Sequence, residues 1–228
     1  MFKNKTILIT GSNGILGGEI VNYFNKFNCN LILTDRKGNS RKQTLKKKFY
    51  TCDLSKEKEI ILFCKKIKKK YKKIDLIINN AAFVGDSKIS GWNTKFDKQS
   101  YETFNSCLKV NLTSIFLLTK ELRKLLNNSN NPSIVNISSI YSFLAPDYNL
   151  YKGTNIFNPA GYGSSKAALV YLTKWLAATL APKIRCNSIS LGGVERQQSK
   201  KFIKKYKDKV PLKRMANSKD LINSIIFL

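Results

Sequence analysis

TILITGSNGILGGEIVNYFNKF, Thr6 to Phe27, decides how the rest of the chain is read. Thr6 to Gly11 is a short apolar run rich in β-branched residues, the pattern of a buried strand. From Gly14 onward the pattern is helical. Gly11, Gly14 and Gly17 punctuate the join between the two. A glycine first in such a join permits a tight turn. The second lets backbone approach a pyrophosphate, and the third lets the helix lie close on the strand. The helix N-terminus then faces the phosphate charge. Ser12, Asn13 and Ile15 complete the loop and are read with the glycines as nucleotide contacts.

The next strand, Asn30 to Asp35, ends on an acid about 20 residues after the glycines, where a carboxylate accepts hydrogen bonds from an adenosine ribose. A carboxylate there repels a 2′-phosphate and favours NAD. Arg36 and Lys37 follow at once and keep NADP open, because either could pair with that phosphate.

Outward from this unit, strand-like runs alternate with helical ones. Strands are expected at Phe49 to Leu54, Asp75 to Ala82, Ser133 to Ser139 and Ile184 to Ser190. Helices are expected after Ser55 as N-cap, over Tyr101 to Leu126 and over Gly161 to Leu180. The strands are almost continuously apolar, as parallel strands covered on both faces must be. The expected fold class is α/β, a doubly wound parallel sheet between two helical layers, as one domain over residues 1–228. NSKDLINSIIFL opens as a capped helix, Ser218 preceding Asp220, and stops on apolar residues that need a surface to pack on. The expectation is that a final strand and tail are missing.

Composition narrows the chemistry. The 228 residues are 43% hydrophobic, enough for a core. The N-terminus has no cleavable signal pattern and no apolar run reaches membrane length, so a cytoplasmic protein with no membrane partner is expected. The chain has 5 cysteines, none in a C-x-x-C pair, and no histidine. No disulfide framework or metal site is indicated, and Ser-His or Cys-His nucleophilic catalysis is excluded. Proton transfer falls to Tyr, Lys, Asp, Glu or Cys. The net charge of +27 invites a nucleic-acid reading. Yet the lysines lie in short runs without interleaved aromatics, which favours a basic surface over nucleic acid as the primary ligand.

Six pieces in order resemble the short-chain dehydrogenase/reductase family over essentially the whole length. They are TGSNGILG, the CDL of Asp53 and Leu54, NNAA (Asn79 to Ala82), KVNLTSIF around Asn111, VNISS with YGSSK, and IRCNSISLGGV. The resemblance implies an NAD(P)-dependent oxidoreductase. Asp53 and Leu54 would contact adenine. Asn80, Ala81, Ala82, Gly192 and Val194 would line the cofactor. Three departures stand out. The glycine spacing is Gly-x-x-Gly-x-x-Gly, Ala82 replaces a glycine, and Leu191 stands where a proline usually precedes Gly192-Gly193, which implies a less rigid loop.

Tyr-x-x-x-Lys occurs twice, as Tyr148-Lys152 and Tyr162-Lys166. A free tyrosine has a pKa of about 10 and is a poor base near neutrality; a neighbouring ammonium lowers it. The two side chains share a face only on a helix. Tyr162-Lys166 opens a run rich in alanine and leucine and qualifies. Tyr148-Lys152, between Pro146 and Gly153, reads as loop. Tyr162 is thus the candidate general acid/base, and Lys166 the group that lowers its pKa and reaches the nicotinamide ribose. Ser139, with Ser138 as the alternative, bonds the substrate oxygen. Asn111 would hold a water that connects Lys166 to solvent, or simply cap a helix.

The stretch between Ser139 and Tyr162 is longer than the family commonly has and carries Tyr148, Tyr151, Lys152, Asn155 and Asn158. It is similar to members associated with flagellin modification and nonulosonic sugar biosynthesis. A hydroxylated small-molecule substrate, a sugar or amino-sugar derivative, is expected. The alternatives are a 3-oxoacyl-carrier-protein reductase using NADPH and a non-catalytic dinucleotide-binding protein. The family implies a homo-dimer or homo-tetramer, paired through faces such as Asn105 to Leu126 and Ala167 to Leu180.

Overall fold

A computed structural model describes residues 2–38, 44, 46–84, 89–154, 156–196 and 198–228. Six parallel strands form one sheet in the order β3-β2-β1-β4-β5-β6. They are β1 (Thr6–Thr10), β2 (Asn30–Asp35), β3 (Lys47–Thr51), β4 (Leu76–Asn79), β5 (Ser133–Ser139) and β6 (Arg185–Leu191). The helices are α1 (Ile15–Phe24), α2 (Glu57–Lys70), α3 (Tyr101–Leu108), α4 (Ser114–Asn127), α5 (Tyr148–Tyr151), α6 (Ala160–Leu180), α7 (Lys200–Lys209) and α8 (Ser218–Phe227).

Alternation along each strand builds two cores. Leu8, Ile32, Ile77 and Ile134 point to one face and pack with Phe63 and Ile67 of α2, Leu118 and Leu122 of α4, and Leu176 of α6. Ile7, Ile9, Leu31, Leu33, Ile78 and Val135 point to the other, against Ile20 and Phe24 of α1 and Leu221 and Ile225 of α8. Both faces are covered, which is why the strands are apolar at successive positions. The closing IIFL thus finds part of its surface: Ile225 is buried against the α1 side, while Phe227 is 88% exposed.

Strand order reverses at the β1–β4 boundary, the place where a doubly wound sheet opens a crevice at its carboxyl edge. Asn80 staples that crevice. Its Nδ2 donates to the carbonyls of Thr10 and Gly11, both at 3.1 Å.

Several boundaries differ from the sequence reading. β3 begins at Lys47 and ends at Thr51 because Lys47 to Thr51 pair with Leu31 to Asp35. Cys52 to Leu54 leave the sheet and turn into the cleft. Ser55 is not the N-cap of α2. Its hydroxyl donates to Asp53 Oδ1 at 2.7 Å, a local turn that outcompetes capping, and the helix starts after Lys56. Asn217, not Ser218, caps α8, in a reciprocal capping box with Asp220. Tyr148 to Tyr151 form one helical turn capped by Asp147, where loop was expected. Lys152 is already extended, at ψ 123°, so the first Tyr-Lys pair still shares no helical face.

Candidate active site

The carboxyl edge of the sheet opens into a cleft of about 840 Å³. Gly11 takes φ +64°, and a Cβ there would meet the Ala81 backbone at 2.7 Å. A Cβ on Gly17 would sit 2.0 Å from the Gly11 carbonyl oxygen. α1 begins at Ile15, with Gly14 at its N-cap, no side-chain cap and no acid in its first turn. Its unpaired N–H groups therefore face the cleft at the positive end of the helix, an arrangement that suits a phosphate. Only glycines leave this cradle open, so the residues present suit a dinucleotide.

Asp35 closes the loop from the β2 side. Its carboxylate accepts from the N–H of Asn13 at 3.0 Å and of Arg36 at 2.8 Å. Arg36 and Lys37 line the cleft beside it. Burial pushes the Asp53 carboxyl up, but the Ser55 hydroxyl and N–H more than offset this and hold it below the usual range. Asn13, Ile15, Leu54, Asn80, Ala81, Ala82, Gly192 and Val194 also line the cleft, as read from the sequence. Ser12 does not. It is fully buried, and its N–H and hydroxyl reach the Thr34 carbonyl, so it braces the loop from behind.

At the far end β5 and α6 bring Ser139, Tyr162 and Lys166 onto the same wall. Ser138 and Ser139 point opposite ways. Ser138 Oγ donates to the Lys166 carbonyl at 3.1 Å and fixes α6, while the Ser139 hydroxyl lies close enough to the Tyr162 phenol to favour its ionised form. Burial drives the Tyr162 pKa up; the Ser139 bond and the charge of Arg196 pull it part of the way back. The expected lowering by Lys166 is corrected here. Lys166 Nζ donates to the Ile137 carbonyl at 2.7 Å and lies 5.8 Å from the Tyr162 ring centroid. Its charge is spent on a carbonyl rather than aimed at the phenol oxygen.

Burial also depresses Lys166 itself, to about 8. Below that pH the folded protein carries a desolvated ammonium, and the cost is fully present. Between about 8 and the unfolded value, the unfolded chain holds the proton that the folded one has lost, so stability rises with pH. Urea unfolding at about pH 7.5 and about pH 10 should show wild type gaining roughly 2 kcal/mol more than Lys166→Met. Burial raises the pKa of the buried thiols, which act in the opposite sense, so the difference between the two proteins is the quantity to read. Equal gains would refute a depressed Lys166.

Asn111 is not a helix cap. It lies in a π-helical turn, Lys109–Thr113, between α3 and α4. Such turns recur at functional sites because they re-aim a side chain without ending the helix. Its Nδ2 donates to Ser165 Oγ at 2.9 Å and Cys107 Sγ at 3.2 Å, and its Oδ1 accepts from the Phe83 N–H at 2.6 Å. It ties α6 to the loop after β4.

The Gly192-Gly193 loop is held without proline. Gly193 N–H donates to the Tyr206 hydroxyl at 2.7 Å, and Val194 bridges to Ala216. Tyr206 and Phe202 of α7, with Leu150 and Met215, form a small third core under the long insertion. The Tyr141 and Tyr151 hydroxyls meet at 2.5 Å, with Asn158 3.4 Å from Tyr151. Asn155 lies outside the described residues. A recess of about 660 Å³ adjoins the cleft and shares Tyr141, Phe157, Asn158 and Pro159 with it. Sequence reasoning missed Arg196, Tyr141 and Tyr206. Only the Phe202/Tyr206 spacing on a basic helix signalled an inward face there.

This fold and cleft define a nucleotide-binding α/β protein. The family model described as enoyl-(acyl carrier protein) reductase matches residues 11–228. The chain belongs to the short-chain dehydrogenase/reductase family and is an oxidoreductase by that membership. It is 25% identical over 242 residues to post-translational flagellin modification protein A of Campylobacter coli, covering 100% of this chain and 92% of that one. It is 28% identical over 236 residues to the 3-oxoacyl-acyl-carrier-protein reductase of Buchnera aphidicola, covering 99% and 90%. A short-chain dehydrogenase from Leptospira borgpetersenii, crystallised with NAD+, superposes with a TM-score of 0.88 at 33% identity, covering 100% of this chain and 86% of that one. No helix among the described residues is long and apolar enough to cross a membrane.

Proposed function

We propose that this chain is an NAD-preferring dehydrogenase/reductase acting on an alcohol or carbonyl carbon of a sugar or amino-sugar derivative. The observation that carries the reading is the convergence of the glycine cradle, Asp35, Ser139, Tyr162 and Lys166 on one cleft. The bound nicotinamide supplies the hydride or accepts it. Ser139 donates to the substrate oxygen and opposes its developing charge. Tyr162, a phenol kept protonated by burial, gives its proton to that oxygen in the reducing direction and recovers it in the oxidising one. Lys166, anchored on the Ile137 carbonyl, is the group placed to reach the nicotinamide ribose, and Asn111 keeps α6 in place.

The sugar assignment rests on the long insertion, whose Tyr141, Tyr151 and Asn158 present hydroxyl and amide groups, and on similarity to the flagellin modification protein. The second reading, a 3-oxoacyl-carrier-protein reductase, has the Buchnera relative and the basic surface in its favour. Asp35 and the polar insertion weigh against it. Exposed Phe116 on α4 and Tyr171 and Trp175 on α6 suit pairing of copies through those helices, as a homo-dimer or homo-tetramer.

Fluorescence titration of wild type, Asp35→Ala and Arg36→Ala with NADH and NADPH tests the cofactor assignment. Wild type is expected to bind NADH about tenfold tighter, with the preference lost in Asp35→Ala and kept in Arg36→Ala. Tighter NADPH binding by wild type would put Arg36 and Lys37 above Asp35 and favour the acyl-carrier reading. Light scattering on the same samples reads the assembly, and a monomer would count against pairing.

A further inference from the structure

The charged groups of the cleft are unevenly placed. Asp35, Arg36, Lys37 and Asp53 cluster at the β2–β3 end. Lys166 is buried and spends its Nζ on a carbonyl. Arg196 is the remaining charged side chain lining the described part of the cleft, in the loop after β6. It is close enough to Tyr162 for its charge to favour the phenolate. Glu195, its neighbour in sequence, is engaged with Lys207 at 3.5 Å. Among the described residues no acid lines the cleft at this end, nor the adjoining recess, which adds Lys95.

The loop that carries Arg196 is held on both sides. Glu195 N–H donates to Ala216 O at 3.0 Å, Arg196 N–H to Gln198 Oε1 at 2.6 Å, and Gln198 Nε2 to Val194 O at 2.9 Å. These bonds set the backbone from which the exposed Arg196 side chain reaches the cleft. A planar, permanently charged fork facing a site without carboxylates is suited to an oxyanion.

We propose that Arg196 determines specificity by pairing with an anionic group of the substrate, a carboxylate or a phosphate, so that the enzyme acts on acidic sugar derivatives in preference to neutral ones. This rests on the oxidoreductase reading above. The same charge leaves the phenolate of Tyr162 less costly once the proton has moved.

The test uses the NADH complex of wild type, Arg196→Gln and Arg196→Lys at constant ionic strength. Gluconate, glucose 6-phosphate and sorbitol are titrated against the fluorescence of bound NADH. In wild type at least one of the two anions should act at concentrations about tenfold below sorbitol, and the better one tells carboxylate from phosphate. Arg196→Gln should erase that difference and Arg196→Lys keep part of it, with NADH affinity unchanged within about threefold in both. Equal response to anions and sorbitol in wild type overturns the proposal. So does a tenfold loss of NADH affinity in Arg196→Gln, which would give the arginine to the cofactor's phosphates. Failure of wild type to bind NADH at all would instead remove the oxidoreductase reading, and the inference with it.

Discussion

Tyr162→Phe is expected to cut turnover roughly a thousandfold while leaving NADH affinity within about threefold. The tyrosine is half-buried, and desolvation raises the pKa of its phenol, so at neutral pH it is a proton donor already in place. Removing the hydroxyl leaves the Ser139 hydroxyl to oppose the developing charge, but no group to supply the proton. Tyr148→Phe is the control. Tyr148 is 62% exposed on a single helical turn, and Lys152 falls outside that turn. Its loss should change the rate by less than about threefold. The assay is nicotinamide absorbance with a sugar alcohol or keto-sugar that wild type turns over. Comparable losses in both variants, or none in Tyr162→Phe, would mean that the second Tyr-Lys pair is a packing feature.

The other large effect is at Gly17. A methyl there would lie 2.0 Å from the Gly11 carbonyl oxygen and 2.9 Å from Asn80 Nδ2. No rotamer relieves such a contact, because the atom struck first belongs to the backbone. α1 must move off β1, and the N–H cradle opens. Gly17→Ala is expected to cost on the order of 3 kcal/mol in urea unfolding and to abolish measurable NADH binding. Gly38→Ala, with nothing within 4 Å of its added Cβ, should stay within about 0.5 kcal/mol and bind normally. A folded Gly17→Ala with normal NADH affinity would show that the close α1 approach is dispensable and that the nucleotide lies elsewhere.

The alternating strand and helix pattern, the glycine join, the acid that ends β2 and the placing of Tyr162 and Lys166, rather than Tyr148 and Lys152, on one helix were legible in the sequence. Each is local, since a strand period, a helix period or a proline acts within a few residues of itself. The boundaries that moved did so through partners distant in sequence or through competing caps. β3 took its limits from pairing with β2, and Ser55 went to Asp53 instead of the helix.

The wall that carries Ser139, Tyr162 and Lys166 was only half legible. Strand alternation separates Ser138 from Ser139, but which one faces the phenol depends on where α6 lies across β5, and that is set by contacts such as Ser138 to the Lys166 carbonyl. A Tyr-Lys spacing implies a shared face. It does not say where the ammonium points, and here the carbonyl of Ile137, on a strand far from it in sequence, accepts its hydrogen bond. The proline missing before Gly192 implied a looser loop. Tyr206, from a helix beyond the loop, supplies the restraint instead.

By itself, then, the sequence determined the α/β class, the nucleotide end of the cleft and the residue types able to move a proton, because backbone preference and side-chain chemistry travel with each residue. Only the tertiary structure decided the charge balance of the active site. Burial, the carbonyl that holds Lys166 and the placement of Arg196 arise from segments brought together across the sheet, and desolvation and Coulomb energies depend on those distances rather than on order along the chain.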